Sequence, residues 1–330
     1  MHKKSFWGIY APYIEEFISF KRSLGFKYKS EEAIYFRFDR FTIETGETKV
    51  GITKELADKW CERKNGESDS TRYHRVVCLN QLSSYLSKLG IRSYIPQIQR
   101  CKDNTFTPYI FSKTEIAAIF KACDEIRAKK KNMNSMYFAL PTLLRFLYGT
   151  GLRISEALSL TNKDVNLVDN YIVLRDCKNG KERMIPIAES LSKVCRDYVS
   201  YRGKLPIDKK NQNDYFFVSL NGSVCTSDTV YKWFREVLKS AGIPFIGKGH
   251  GPRVHDIRHT FSVHSLAMMA EFGVDLYCSL PILSTFLGHQ SLSATNTYVR
   301  LTSEMYPGLL KGVDMICLNV FPNIESHDPN

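Results

Sequence analysis

The stretch His255-Asp256-Ile257-Arg258-His259-Thr260-Phe261, followed by Leu287-Gly288-His289 and then Tyr298, decides how the chain is read. His255 and Arg258 stand three apart. On a helix that spacing puts both on one face, so an imidazole and a guanidinium converge on one target. A guanidinium presents a planar fork of donors that fits a phosphate, and it stays charged. His289 adds a second imidazole and Tyr298 a phenol. Fixed positive charge beside a phenol suits phosphoryl transfer with tyrosine as the nucleophile. Taken singly the pieces are weak. An H-x-x-R pair is most often a solvated surface pair, and a tyrosine near a helix end most often packs with its hydroxyl wetted.

Upstream, Tyr148-Gly149-Thr150-Gly151-Leu152-Arg153-Ile154-Ser155-Glu156-Ala157-Leu158 places Arg153 just past a glycine-rich turn, at the start of a helix. With that partner, the chain resembles the tyrosine recombinase (phage integrase) family. The family's motifs are an Arg in a T-G-x-R-x-x-E context, an H-x-x-R-H box, an L-G-H triplet and a Tyr shortly after it. All four stand here in that order, and the resemblance runs from roughly Thr107 to Leu310. It implies a mainly α fold. A helical core-binding (SAM-like) domain would come first, then an α-rich catalytic domain with a small antiparallel β-hairpin, the DNA breaking-rejoining enzyme fold. The expected division is residues 1–102 and 103–330, the two domains clamping DNA between them.

Composition fits such a partner. The chain has 330 residues, enough for two sizeable cores, and 43% of them are hydrophobic. Net charge is +12, which favours a polyanion, and nucleic acid over a membrane surface. The first hundred residues carry 18 Lys and Arg against 12 Asp and Glu, so half of the excess lies there and both parts are basic. Nine dispersed cysteines without a C-x-x-C pair fit a reducing cytoplasm and argue against a disulfide framework or a structural zinc. Neither a signal peptide nor a membrane span is expected. Little chain precedes the first helix, so no separate arm-binding domain is expected.

Along the chain, Ile14, Phe17, Ile18 and Leu24 recur at helical spacing, as do Ala33, Tyr35, Phe36, Phe38 and Phe41. Thr53 caps a third helix, and Ser70–Leu89 reads as a fourth with Val76, Val77, Leu79, Leu82 and Tyr85 apolar. The bundle ends near Gly90, and Pro96 to Pro108 reads as a connector. Ser112-Lys113-Thr114-Glu115 is a capping box, and an apolar helix spans 136–148. Tyr171–Leu174 and Met184–Ile187 read as paired strands, with Asn179-Gly180 turning between Lys178 and Lys181. Helices are expected over 191–201, 227–241, 255–269, 280–287 and 293–300, with a short strand at Phe216–Val218. Gly149 and Gly151 do not make a nucleotide loop, because a helix precedes them and a third glycine is missing. Gly247-Lys248-Gly249 is too short for a P-loop and reads as a basic loop.

The resemblance implies roles. Tyr298 is the nucleophile. Arg153 and Arg258 grip the non-bridging phosphate oxygens. His255 relays the tyrosine proton, and His289 donates a further hydrogen bond. A hairpin lysine protonates the departing 5′ oxygen. Cys177 stands where the family usually has glycine; matched by distance to the turn and to Pro186, Lys178 fits better and Lys181 is the alternative. Glu156, Asp256 and His259 are expected as supporting residues. His74, His250 and His264 carry no motif. The implied activity is site-specific cleavage and rejoining of double-stranded DNA through a 3′-phosphotyrosine, by a homotetramer on synapsed sites, with accessory recombinases as further candidate partners. No cofactor and no metal are expected, since the ester keeps the energy of the broken bond and no carboxylate cluster is visible. The lead-in Gly251–His255 and the run Leu280–Phe286 look most like recombinases of transposons and integrative elements. The rivals are Xer-like dimer resolution, a type IB topoisomerase, and a catalytically silent DNA-binding protein on the same fold.

Overall fold

The computed structural model describes residues 5–98, 107–126, 135–175, 182–205, 214–247, 251–289 and 291–306. The chain is mainly helical with one small antiparallel sheet. It divides into two compact units, Met1–Phe106 and Thr107–Asn330.

The first unit is built from α1 (Ala11–Ser23), α2 (Lys29–Glu44), α3 (Lys54–Cys61) and α4 (Asp69–Lys88). Thr53 caps α3, its hydroxyl accepting from the Leu56 N–H at 3.1 Å. The core closes around Phe17, Tyr35, Phe38, Trp60, Leu79 and Leu82. Two expectations fail here. Leu24 is exposed, because α1 stops one residue earlier. On α4 the inward positions are Arg75, Cys78, Leu79, Leu82 and Leu86, while Val76 and Val77 are half-buried. A buried arginine is tolerable because Glu67 pairs with it at 2.7 Å and the Trp60 ring lies under its guanidinium.

The second unit opens with α5 (Lys113–Glu125), whose Ser112 capping box forms as its sequence requires. Next come α6 (Leu140–Thr150) and the short α7 (Ile154–Ser159). The apolar helix expected over 136–148 starts later, at Leu140. Pro141 lies in its first turn, where a missing N–H costs nothing. The helix then runs through Gly149, and Gly151 ends it in the left-handed region at φ 59°. Strands β1 (Val165–Asn166), β2 (Tyr171–Leu174) and β3 (Arg183–Pro186) form the sheet in that order. Ile172 faces Ile185 across the expected hairpin. Its tip, with Lys178 and Lys181, lies outside the described residues, as do Lys248, Gly249 and His250.

Phe216–Val218 is not a strand. Isolated bridges pair Thr161 with Tyr215 and Val218 with Val224, and the aromatic rings of Phe216 and Phe217 pack edge-on in the core instead. The remainder is α8 (Glu189–Arg202), α9 (Ser227–Ser240), α10 (Val254–Glu271), α11 (Leu276–Leu287) and α12 (Leu292–Met305). α11 begins ahead of its expected start and carries Pro281 inside it. α10 is mostly buried. Val263 and Leu266 on it pack with Leu283 and Leu287 of α11 and with Tyr298 and Leu301 of α12.

Candidate active site

Four chain segments converge in the second unit: the Gly151 turn, the root of β3, the start of α10, and the turn between α11 and α12. Gly151 makes the first meeting possible. A Cβ there would lie 2.3 Å from Phe261 on α10, so only glycine lets the end of α6 approach α10 this closely. Arg258 uses that proximity. Its Nη1 donates to the Gly151 carbonyl at 2.7 Å and its Nη2 to the Leu287 carbonyl at 2.8 Å. Only 2% of it is exposed.

Glu156 is the counter-charge. Arg153 occupies the N-cap of α7, and its backbone N–H donates to Glu156 Oε2 at 3.0 Å. The Arg153 guanidinium pairs with Oε1 at 2.7 Å. Arg183 reaches Oε2 at 3.1 Å, and Arg258 stands 3.9 Å from that oxygen. Three guanidiniums thus share one carboxylate, leaving a local excess of two positive charges before the histidines are considered. Burial opposes ionisation of Glu156, but the Arg153 N–H, Arg183 and the Arg153 guanidinium outweigh it and hold its carboxyl below the usual range. Arg258 is pushed down to about 10, first by burial and then by Arg153, and remains a cation at neutral pH.

The imidazoles sit inside this field. His289 Nε2 is 3.1 Å from Arg258 Nη2, and its Nδ1 is 2.8 Å from the Thr295 hydroxyl. Arginine can only donate, so Nε2 accepts and the ring proton belongs on Nδ1. His255 lies edge-on to His259, with ring centres 4.8 Å apart. His259 Nδ1 is 2.9 Å from the Tyr298 hydroxyl, and the Tyr298 ring stacks on His289 at 6.1 Å. Burial, followed by the neighbouring cations, pushes His255 and His289 to about 4 and His259 to about 3. All three are neutral at pH 7. The Tyr298 phenol is raised, because burial outweighs the fields of Arg258 and Arg153. Asp256 is fully enclosed. It caps α10 through the Arg253 N–H at 2.8 Å and holds the Arg253 guanidinium at 3.1 Å.

The structure thus gathers Arg153, Glu156, His255, Arg258, His259, His289 and Tyr298. Asp256 lies just behind them, and Lys178 is outside the described residues. The imidazole on the Tyr298 hydroxyl is His259, whereas His255, expected to relay the tyrosine proton, makes no hydrogen bond to it among the described residues. Helical spacing explains it. His255 and His259 are four apart and line one face, but α12 meets that face at His259. Sequence reading also missed Arg183, Thr295 and the close approach at Gly288, where a Cβ would meet Arg183 Nη1 at 2.6 Å. Arg183 begins β3, one residue ahead of the expected strand, and shares the inward face of Ile185. His264, without a motif, is a core histidine bonded to Tyr148 at 2.9 Å, and His74 is exposed.

Among the described residues no three His, Cys, Asp or Glu side chains gather as a metal site, and no helix is long and apolar enough to cross a membrane. What the cluster offers is three guanidiniums around one carboxylate, three neutral imidazoles and a buried phenol. That is a setting for a phosphate oxyanion and a phenolic nucleophile.

Residues 110–305 match the phage integrase family. Over 294 residues the chain is 29% identical to y4rB, a putative integrase/recombinase of Sinorhizobium fredii, covering 88% of this chain and 93% of that protein. It is 28% identical over 231 residues to the tyrosine recombinase XerA of Pyrococcus horikoshii, covering 69% of each. Among solved structures, its fold is similar to that of the Tn1549 transposon integrase in complex with transposon right end DNA. There the TM-score is 0.62 at 19% identity, over 89% of this chain and 98% of that one. The XerH site-specific recombinase bound to palindromic difH substrate gives 0.59 at 21% identity, over 83% and 76%.

Proposed function

The chain belongs to the phage integrase family, and from that premise we propose that it is a tyrosine-type site-specific recombinase that cuts and rejoins double-stranded DNA. The observation that carries this reading is the placement of Tyr298. Its hydroxyl lies on His259, and its ring stacks on the His289 that Arg258 holds. In the scheme, Arg153 and Arg258 bind the scissile phosphate and stabilise the charge of the pentavalent transition state. Tyr298 Oη forms the new bond to phosphorus, the bond to the 5′ oxygen breaks, and a 3′-phosphotyrosine remains. Lys178, or Lys181 in its place, gives the leaving oxygen its proton. Rejoining is the reverse attack by a 5′ hydroxyl of the partner strand. Glu156 fixes Arg153 and Arg183 in place, and Asp256 fixes the start of α10.

Tyr298 is 4% exposed, so DNA must shift α12 or its neighbours before a phosphate meets the phenol. The first unit serves as a further DNA-binding domain, since half of the basic excess lies in the first hundred residues. Exchange between two duplexes requires four cleavage events, and a cyclic homotetramer supplies them. We read the substrate as the ends of a mobile element, on the likeness to the Tn1549 transposon integrase and to y4rB. The similarity to XerA favours a second reading, resolution of chromosome or plasmid dimers.

The test uses plasmids carrying pairs of sites taken from DNA flanking the gene. Recombination of element-end pairs supports the first reading, and exchange only at a single chromosomal site supports the second. Relaxation of supercoils without any exchange of partners would contradict both and point to a topoisomerase.

A further inference from the structure

We propose that His259 is the catalytic residue that takes the Tyr298 hydroxyl proton as the phenol attacks phosphorus. This rests on the reading of Tyr298 as the nucleophile and assigns a role that the family resemblance implied for His255. A general base must come within roughly 2.6–3.2 Å of the proton's oxygen. His259 Nδ1 does so, at 2.9 Å.

The other two imidazoles are placed for different work. His289 presents its ring face to Tyr298 rather than an edge. Its Nε2 lone pair already accepts from Arg258, and its Nδ1 proton is directed to Thr295. His255 is one turn further from α12, and among the described residues no hydrogen bond joins it to Tyr298. Its place in the first turn of α10, in the field of Arg258, Arg253 and Arg153, suits it to the phosphate instead.

The proton balance is simple. The phenol O–H bond breaks and an Nδ1–H bond forms on His259, while the freed electron pair makes the bond from Oη to phosphorus. The pair of the broken bond stays on the 5′ oxygen, which is protonated by the hairpin lysine in the proposed scheme. On rejoining, the His259 imidazolium returns its proton to the phenolate as that oxygen leaves.

The surroundings make the step dependent on DNA. Arg253, His255, Asp256 and Arg258 on α10, Tyr298 on α12, His289 after α11, and Arg153 and Glu156 beyond them are the charged or titratable groups facing this ring. Without DNA, burial and the fields of His255, Arg253, Arg258 and His289 all oppose an imidazolium at His259. A phosphodiester seated between Arg153 and Arg258 brings one negative charge and offsets the cationic part of that opposition. His259 therefore gains basicity when substrate is bound, and Tyr298 is not activated in the free protein.

The experiment follows covalent adduct formation in the full chain, on nicked suicide duplexes carrying the mapped site, in single turnover. His259→Ala should slow adduct formation by at least about 100-fold. Added imidazole should restore it, and methylimidazoles of higher pKa should restore it better. His259→Asn keeps a hydrogen-bonding group but cannot take a proton, so it should be equally slow. Replacing Tyr298 by difluorotyrosine, a more acidic phenol, should then shrink the His259→Asn defect. That comparison stands even where His259→Ala fails to fold. Unchanged or faster cleavage by His259→Ala overturns the proposal, as does imidazole rescue of His255→Ala alone. A difluorotyrosine protein with the full His259→Asn defect overturns it too. A wild-type protein that forms no adduct on any duplex overturns instead the recombinase reading on which the proposal stands.

Discussion

Arg258 reaches the site only because the carbonyls of Gly151 and Leu287 accept from its two terminal nitrogens. Residues far apart in sequence therefore fix the charge at the centre. Around it, three histidines stay neutral in the fold at about 4, 3 and 4, against an ordinary value of 6.5. The sign of the consequence follows directly. Between those values the unfolded chain binds more protons than the folded one, so stability falls as pH drops from about 6.5 towards 4. Each histidine contributes a slope of up to about 1.4 kcal/mol per pH unit. Urea unfolding of the full chain should show a midpoint that declines steadily from pH 7 to pH 5, and His259→Asn should remove about one proton from that slope. A midpoint flat across this range would mean that the histidines are not buried as described. At this scale the sequence named most of the residues that the fold gathers, since H-x-x-R-H, L-G-H and the following Tyr are local patterns. It did not assign the phenol to His259 or place Arg183 on Glu156, because both contacts depend on how one helix or strand crosses another.

Helices were legible wherever apolar spacing and caps agreed, as at Ser112 and Thr53, where both side-chain bonds form. The paired strands were legible from alternation and the Asn-Gly turn. Phe216–Val218 misled because three buried residues in a row satisfy a strand pattern, yet their neighbours offer only single bridges. The start of α6 was misplaced because apolar character continues ahead of Pro141 into a turn. The element that matters most is the end of α6. Gly151 has φ 59° and faces Phe261 where a Cβ would sit at 2.3 Å. Gly151→Ala should therefore cost about 1–3 kcal/mol through backbone strain and overpacking. It should also lower adduct formation more than DNA binding, because the displaced carbonyl is one that holds Arg258. Wild-type stability together with wild-type cleavage would show that this close approach does not set the position of Arg258.

Taken whole, the molecule has two compact units, each with its own core, and basic charge is spread over both. If both units contact the phosphate backbone, a protein starting at residue 107 should bind its site more weakly and with a shallower dependence on salt. Each lost phosphate contact lowers the slope of log affinity against log salt by about one unit. An unchanged slope would assign all of the DNA contacts to the second unit. The two-unit plan was legible from the end of the helical bundle near Gly90 and the polar connector beyond it, whereas the partners and the DNA site are written in no local pattern. The most direct measurement compares wild type with Tyr298→Phe on a nicked duplex carrying the site. Wild type should give a protein–DNA adduct that survives denaturation, joined through Tyr298 to a 3′ phosphate, while Tyr298→Phe should bind the duplex equally well and give none. An adduct that persists in Tyr298→Phe, or one that maps to another residue, would contradict the account.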